Sequence, residues 1–409
     1  MKNLGIKIAL YINYFVFAIL LNSVGIVIAK AINVYQVSES DASVLEAFKD
    51  LPIAIISFIV ASFLPRFGYK KAMLTALGIV FFGCLAMIFG NTFMYSKLLF
   101  LTIGVSFALI KLSVYSLIGV LTNSKKEHAA FMSSIEGFFM IGIATAYFLF
   151  PVFYSETNPN AWLDVYYVLA GLIAISFLFL LFSKVTNIDS TTETTLKEDI
   201  KASIGLIAIP LVLVFLAAAF FFVMIEQGIM TWLPRFNEKI FRFSDVLSVQ
   251  MASILALSLA LGRFIAGYLS KKISWVPLVI GCVFISFTIL ISVLPQLNSD
   301  VATIETTQTL SKVPIFGFIL PLIGLFIAPI YPLLNSSVLS SLPQKLHSPM
   351  SGLIIIFSAL GGTLGSRIVG ELFESIGGVD AFYVLLIPMI AVIIAVLLID
   401  KLSKKDKIA

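Results

Sequence analysis

Long apolar runs alternate with short polar stretches along nearly the whole chain. Most runs hold about 20 residues, the length that an α-helix needs to cross the roughly 30 Å hydrocarbon core of a membrane. We therefore predict an all-α membrane protein with twelve transmembrane helices. Their cores are expected at residues 8–32, 42–64, 72–90, 97–121, 129–153, 163–184, 204–233, 245–270, 275–295, 313–341, 348–372 and 380–400.

Composition excludes an ordinary soluble domain. The 409 residues are 60% hydrophobic and 12% charged, whereas soluble domains are about 45–50% apolar and about 25% charged. The runs are also too long and too uniformly apolar for the alternating strands of a membrane β-barrel. A formal net charge of +5 gives no indication of nucleic-acid binding, because the basic residues follow the expected membrane topology.

No group of residues predicts catalysis or a bound cofactor. Cys84 and Cys282 lie in separate apolar runs, and His128 and His347 lie at separate predicted helix starts, so neither a metal site nor a disulfide framework is expected. A phosphate-binding Gly-rich loop that ends in Lys-Ser or Lys-Thr is also missing. We therefore predict that the chain is not an enzyme and needs no cofactor.

Basic residues in the short connections predict the orientation of the chain. Most of them fall on one side of the predicted membrane, as in the turns with Lys70 and Lys71 or with Lys271 and Lys272. By the positive-inside rule, that side is the cytoplasm. We expect a multi-pass protein of a bacterial inner (plasma) membrane with both termini in the cytoplasm.

The predicted helices divide into two halves. A polar linker at 185–203 separates a bundle of six helices at 1–184 from a second bundle of six at 204–409. A small residue followed by a basic turn ends the second span at 61–71, and a similar turn ends the eighth span at 266–272. Internal repeats of this kind are common in transporters, where the substrate site lies at the repeat interface.

The first of these turns resembles the loop-two motif of the major facilitator superfamily, Gly-x-x-x-Asp-Arg-x-Gly-Arg-Lys/Arg. The chain matches that motif at Arg66, Gly68 and Lys70, and departs from it at Ala61, Pro65 and Tyr69. Together with the twelve spans and the division into six and six, the resemblance covers the whole chain. It implies two six-helix bundles that rock around a central cavity.

A weaker resemblance links the seventh span to the fucose/glucose/galactose–proton symporter branch. Residues 221–233 place an aromatic pair before Glu226, Gln227 and then Trp232, as the seventh helix of that branch does. The fourth helix of the branch carries a coupling carboxylate. Lys111 stands at the matching place in this chain, which argues against transferring the sugar specificity.

Three charged residues precede the apolar part of the second span. Spacings of three and four place Glu46, Lys49 and Asp50 on one helical face, with Asp50 roughly 21 Å above the inner boundary. Ionisable groups inside a membrane usually face a protein interior or a wet cavity. We interpret them as cavity residues; the alternative is a helix that begins later, with all three in the headgroup region.

Four more charged residues within predicted spans are candidates for a functional role. Lys111 is near the midplane, where a lone ammonium needs a partner. Glu136 is two turns into the fifth span and could meet Lys111, or it could lie at the inner interface. Glu226 lies about 12 Å from the outer boundary if its helix ends at Pro234. Arg367 faces the cavity or pairs with Glu371 one turn away.

Several polar and aromatic residues could contact a solute, although such side chains also serve packing. The candidates for substrate contact are Asn22, Lys49, Lys111, Tyr115, Phe222, Gln227, Tyr331, Asn335 and Arg367. Glycines of the eleventh span are expected to permit close helix packing; they are Gly352, Gly361, Gly362, Gly365 and Gly370.

The sequence thus predicts a monomeric secondary active transporter in contact with membrane lipid. We expect proton-coupled symport of a small polar or zwitterionic organic solute by alternating access, with Asp50, Glu46, Glu226 and Glu136 as proton sites. The alternative is proton-driven efflux of drugs or metabolites, which would use the same carboxylates. A receptor that binds without transporting is a third interpretation, which the short loops disfavour.

Overall fold

A computed structural model describes residues 4–61, 64–122, 125–183, 204–297, 307–339 and 347–405. Regular structure in these ranges is helical, and the single isolated β-bridge joins Phe243 to Thr307. The predicted all-α fold is therefore confirmed. Its basis is the length and apolarity of the runs, since a helix satisfies every backbone hydrogen bond within its own segment.

Helices of the first half of the chain follow the predicted runs closely. They are α1 (Leu4–Asn22), α2 (Val24–Tyr35), α3 (Glu39–Ala42), α4 (Val44–Ala61), α5 (Leu64–Phe67), α6 (Tyr69–Gly90), α7 (Phe93–Leu121), α8 (Lys125–Leu149) and α9 (Val165–Phe182).

Two helices of the second half, Pro210–Lys239 and His347–Ile376, have 30 residues each. The helices of this half are α10 (Pro210–Lys239), α11 (Asp245–Leu269), α12 (Trp275–Val293), α13 (Ile315–Ile319), α14 (Ile323–Ile327), α15 (Ile330–Leu339), α16 (His347–Ile376), α17 (Gly378–Tyr383) and α18 (Leu386–Lys405).

Eleven helical segments of the described residues are long and apolar enough to cross a membrane. The predicted second span corresponds to α4, which has 18 residues and carries three charged side chains. Those three charges keep α4 out of this set of eleven. Eleven apolar spans plus α4 agree with the twelve predicted helices.

Two predicted spans are interrupted in the structure. The first span is two helices, α1 and α2, which meet at Ser23. The tenth span is broken into α13, α14 and α15, with a short 3₁₀ turn between the first two. Pro321 and Pro329 lie at these breaks, and each lacks the N–H that a continuous helix requires.

The predicted end of the seventh span at Pro234 is wrong. Helix α10 continues through Pro234 to Lys239, which places Glu226 about 20 Å from its end rather than about 12 Å. Buried contacts on both sides of the proline hold these turns: Trp232 Nε1 donates to Ser366 O at 2.9 Å, and the Arg235 guanidinium pairs with carboxylates. Tertiary packing at this point outweighs the helix-breaking tendency of proline.

The described residues form two compact units. Unit 1 takes its residues from 1–37 and 48–196, and unit 2 takes its residues from 38–47 and 197–409. Residues 38–47, which the sequence assigns to the first domain, thus group with the second half of the chain. The predicted linker at 185–203 lies outside the described residues, so the boundaries at 184 and 204 stay a prediction.

Packing in unit 2 depends on glycines of α16. A Cβ atom on Gly361 would lie 2.2 Å from Phe220 O, and one on Gly365 would lie 2.4 Å from Met224 O. The backbones of α10 and α16 therefore touch, which confirms the predicted role of these two glycines in close packing.

Lys70 of the basic turn after α4 caps a helix of unit 1. Its Nζ atom donates to Leu181 O and to Ser183 O, each at 2.8 Å, at the C-terminal end of α9. The last carbonyls of a helix have no partner within it and carry a partial negative charge, so an ammonium stabilises them.

Candidate functional site

Unit 1 brings together three of the predicted site residues. Lys111 and Tyr115 lie one turn apart on α7, and Tyr115 OH donates to Glu136 Oε1 on α8 at 2.8 Å. Lys111 Nζ lies 5.8 Å from the Phe107 ring centroid and 5.9 Å from that of Tyr115. Lys111 lies about 15 Å before the end of α7, and Glu136 lies about 15 Å after the start of α8. Because these two helix ends are joined by a short connection, the two side chains lie at a similar depth.

A group of aromatic rings lies beside Lys111 and Tyr115. Tyr14 of α1 lies 6.3 Å from Tyr115, 6.5 Å from Phe107 and 5.8 Å from Phe139, measured between ring centroids. Phe107 also lies 6.1 Å from Phe139. We call Tyr14, Phe107, Tyr115 and Phe139 the ring cluster. The ring cluster is the apolar side of the site that holds the Lys111 ammonium and the Glu136 carboxylate.

Tyr14 is the member of the ring cluster with an unmet polar group. Its side chain is 1% exposed, and its hydroxyl has no hydrogen-bond partner at normal geometry among the described residues. A buried hydroxyl without a partner costs about 1–3 kcal/mol relative to a satisfied one. The position of Tyr14 beside Tyr115 therefore offers a donor to a further group.

The charged face predicted for the second span is divided between the two units. Lys49 Nζ lies 3.5 Å from Asp50 Oδ1 within unit 1, and both side chains are largely buried. Glu46 belongs to unit 2, where its fully buried carboxylate accepts a hydrogen bond from Thr231 Oγ1 at 3.0 Å. Protein therefore encloses all three side chains, and their depth in the membrane stays a prediction.

Unit 2 has a second polar group around Glu226. Arg263 Nη2 of α11 lies 3.8 Å from Glu226 Oε1. One turn before Glu226 on the same helix, Phe222 stacks on Tyr331 with ring centroids 5.7 Å apart. Tyr331 OH lies 3.0 Å from Ser358 Oγ. The structure thus brings three candidates from the sequence into one region of the unit, and adds Arg263 and Ser358 to them.

Three other residues predicted to contact the solute lie outside the interactions described above. Asn335 lies one turn after Tyr331, and its buried Oδ1 has no hydrogen-bond partner in the described chain. Gln227 is half-buried beside Glu226. Asn22 donates from Nδ2 to Ala18 O at 2.8 Å near the end of α1, which is a local helix contact.

Arg367 and residues 38–47 form a polar network in unit 2. Arg367 Nε lies 2.8 Å from Glu371 Oε1, which is the predicted one-turn pair. Its Nη1 also donates to Ser40 O and to Ser43 Oγ. Gly370 on the same helix contacts this segment as well, since a Cβ there would lie 2.8 Å from Ser43 Cβ.

Arg235 is a deeply buried cation of this network. It is 2% exposed, and its guanidinium lies 2.8 Å from Glu39 Oε1 and 2.9 Å from Glu238 Oε1. Burial raises the pKa of Glu39, but the hydrogen bond and charge of Arg235 outweigh it and hold the pKa below its ordinary value of 4.5. Glu39 is therefore ionised near neutral pH.

Sequence reasoning missed Tyr14, Thr231, Ser358 and the Arg235 pair with Glu39. Hydroxyl-bearing residues in apolar spans give no periodic signal that separates a site from packing. Arg235 follows Pro234, which suggested a loop position. Glu39 is visible in the sequence as an acid near a predicted helix start, but nothing local specifies which cation it meets.

Comparison with known families settles the class of the chain. The family model of the Major Facilitator Superfamily matches residues 10–366. The chain belongs to the Major Facilitator Superfamily. Twelve transmembrane helices in two six-helix bundles are the fold of this family, so the predicted fold class is confirmed. No match was found among curated protein sequences.

Solved structures of transporters in this superfamily have the same fold at low sequence identity. A bacterial homologue of the human lysosomal transporter Spinster is 14% identical with a TM-score of 0.74, over 98% of this chain and 97% of that one. A POT family transporter in complex with a thioalcohol-conjugated peptide is 14% identical with a TM-score of 0.75, over 99% and 98%. The Escherichia coli fucose:proton symporter FucP is 12% identical with a TM-score of 0.64, over 98% and 99%.

At these identities, the neighbours show the fold of the chain alone. Among the described residues, no group of three or more His, Cys, Asp and Glu side chains could hold a metal ion. The polar groups in each unit contain charged and hydroxyl side chains, which can bind a polar solute or exchange a proton.

Proposed function

We propose that this superfamily member is a secondary active transporter that imports a small polar or zwitterionic organic solute together with protons. The observation that carries the proposal is the pairing of an acid with a base or a hydroxyl inside membrane-spanning helices of each unit. Glu136, Tyr115 and Lys111 form one such group, and Glu226 with Arg263 forms the other.

Protonation of a buried carboxylate supplies the coupling. An ionised carboxylate is costly to enclose in a dry, low-dielectric interior, whereas the neutral acid is much less so. Glu226 keeps 16% of its side-chain surface exposed and is 3.8 Å from Arg263. A proton that enters would replace Arg263 as the partner and let the site close. Glu136, Asp50 and Glu46 are the other candidates for proton exchange.

Alternating access completes the cycle, with the solute site open to one side of the membrane at a time. In unit 1, the proposed solute contacts are Lys49, Lys111 and Tyr115. In unit 2, they are Phe222, Gln227, Tyr331, Asn335 and Arg367. We place the protein in a bacterial inner membrane as a monomer, and the basic turns support an orientation with both termini in the cytoplasm.

Transport by purified protein in liposomes tests the direction of coupling. An inward proton gradient should drive accumulation of the solute above its equilibrium level, and collapse of the gradient with a protonophore should abolish it. Depletion of preloaded solute under the same gradient would instead establish proton-driven efflux. Binding without any response to the gradient would contradict both forms of transport.

A further inference from the structure

Lys111 has an unusual environment for a cation inside a membrane span. It lies within the apolar segment 93–118, and among the described residues no carboxylate lies within ion-pair distance of its Nζ atom. Its contacts there are the faces of Phe107 and Tyr115 at 5.8 and 5.9 Å. Two distant cation–π contacts stabilise an ammonium only weakly, by much less than the cost of removing its charge from water.

Glu136 does not neutralise this charge by direct contact. Its Oε1 atom accepts a hydrogen bond from Tyr115 OH, so the carboxylate already has a donor. The adjacent Tyr14 hydroxyl is buried and has no hydrogen bond of normal geometry in the described chain. The Lys111 ammonium and the Tyr14 hydroxyl both border Tyr115 and can both donate, so they favour a ligand with a negatively charged acceptor.

The surroundings of these donors define the rest of the ligand. Phe107 and Tyr115 of the ring cluster border Lys111, and neighbouring rings of the cluster pack on one another at 5.8 to 6.5 Å. Tyr115 keeps 37% of its surface exposed, so its ring can pack against a flat apolar or aromatic group. The ligand would therefore combine a carboxylate with a ring.

We propose that the solute of this transporter is an organic acid with an aromatic or similarly flat apolar group. Lys111 binds its carboxylate, Tyr14 donates a hydrogen bond to it, and the ring cluster binds its apolar part. This inference rests on the proposed transport function and narrows its substrate class. An amino acid with an aromatic side chain falls within the class, as does a simple aromatic acid.

Ligand binding to the full-length protein in lipid nanodiscs, without any gradient, tests the assignment. The acids with a ring are phenylacetate, benzoate and phenylalanine, and the controls are phenylacetamide, phenethylamine and acetate. We expect at least one of the three acids to raise the unfolding temperature and the controls to have little effect. Equal stabilisation by the amide or the amine would overturn the proposal, and so would the absence of stabilisation by all three acids.

Variants of two lysines on α7 separate binding from general stability. Lys111→Gln should weaken binding of the stabilising acid about tenfold or more, because the amide removes the positive charge from the hydrogen bond to the carboxylate. Lys111→Arg should retain part of the affinity. Lys97, whose Nζ lies 4.7 Å from the Phe93 ring centroid on the same helix, provides the matched control, and Lys97→Gln should bind like the wild type.

Transport measurements then distinguish this inference from the proposed function. Accumulation of a sugar or a cation under an inward proton gradient, with no acid bound, would refute the substrate class and leave symport intact. Binding of an aromatic acid through Lys111, without accumulation under a gradient, would refute symport and leave the binding assignment intact. Unchanged acid binding by Lys111→Gln would remove Lys111 from the site.

Discussion

At the scale of single residues, two kinds of acid in this protein differ in how tightly they are held. Glu46 is fully buried and accepts a hydrogen bond from Thr231 Oγ1, and Glu39 lies 2.8 Å from the Arg235 guanidinium. Glu226 lies 3.8 Å from Arg263, a longer ion pair, and half-buried Glu136 accepts a hydrogen bond from the neutral Tyr115 hydroxyl. Acids of the second kind can exchange a proton without unfolding their surroundings, so they are the better candidates for coupling.

Glu226→Gln tests the coupling role directly. The amide keeps the size of the side chain but cannot take up or release a proton, so accumulation under a gradient should fall to the level of passive equilibration. Exchange of labelled for unlabelled solute across the liposome membrane should stay measurable, since it needs no net proton movement. Asp164→Asn makes the same chemical change at an exposed position and should leave both activities intact. Full accumulation by Glu226→Gln would assign the proton to another carboxylate, with Asp50→Asn as the next variant.

Glu39 gives a prediction for the pH dependence of stability. Its pKa in the folded protein is below the ordinary value of 4.5, because Arg235 outweighs the opposing effect of burial. A lowered folded-state pKa contributes stability above the ordinary pKa, and that contribution is lost as the pH falls through the folded-state value. The unfolding temperature should therefore drop on acidification below about pH 4.5, and more steeply in wild type than in Glu39→Gln. Glu156→Gln, at an exposed position, should follow the wild-type curve.

The sequence predicted which residues carry charge in the membrane, but not which atoms they meet. Lys111 and Glu136 both border Tyr115, and this proximity was predictable because α7 and α8 are consecutive helices joined by a short turn. The partner of Glu226, Arg263 on α11, was not predicted. Partner choice depends on helix rotation and tilt, which hydrophobic periodicity alone does not determine.

At the scale of helices, α10 and α16 approach closely because Gly361 and Gly365 of α16 have no side chain at the contact. Gly361→Ala should push the helices apart, because the added Cβ would lie 2.2 Å from Phe220 O, a backbone atom that cannot rotate away. Overpacking of this kind costs roughly 1–3 kcal/mol. The unfolding temperature in detergent should fall accordingly. Gly267→Ala on α11 is the control, since nothing lies within 4 Å of the added atom. Equal stability of the two variants would show that α16 shifts freely.

Helix existence was predictable, whereas helix continuity was not. Apolar runs located α4, α6 and α7 well, since length and composition decide whether a segment can cross a membrane. Proline gave opposite outcomes at two places: the tenth span breaks at Pro321 and Pro329, but α10 continues through Pro234. The difference lies in tertiary contacts such as the Trp232 hydrogen bond to Ser366, which local sequence does not reveal.

At the scale of the whole molecule, the distribution of basic turns predicts the direction in which the chain crosses the membrane. Both native cysteines are buried, so single exposed cysteines can report sidedness over a low background. Asn158 lies in an exposed segment between α8 and α9, on the predicted outer side, and Ser270 lies in the basic turn after α11, on the predicted cytoplasmic side. In intact cells, a membrane-impermeant maleimide should label Asn158→Cys, and it should label Ser270→Cys only after permeabilisation. The reverse pattern would place both termini outside and would invert the predicted direction of import relative to the proton gradient.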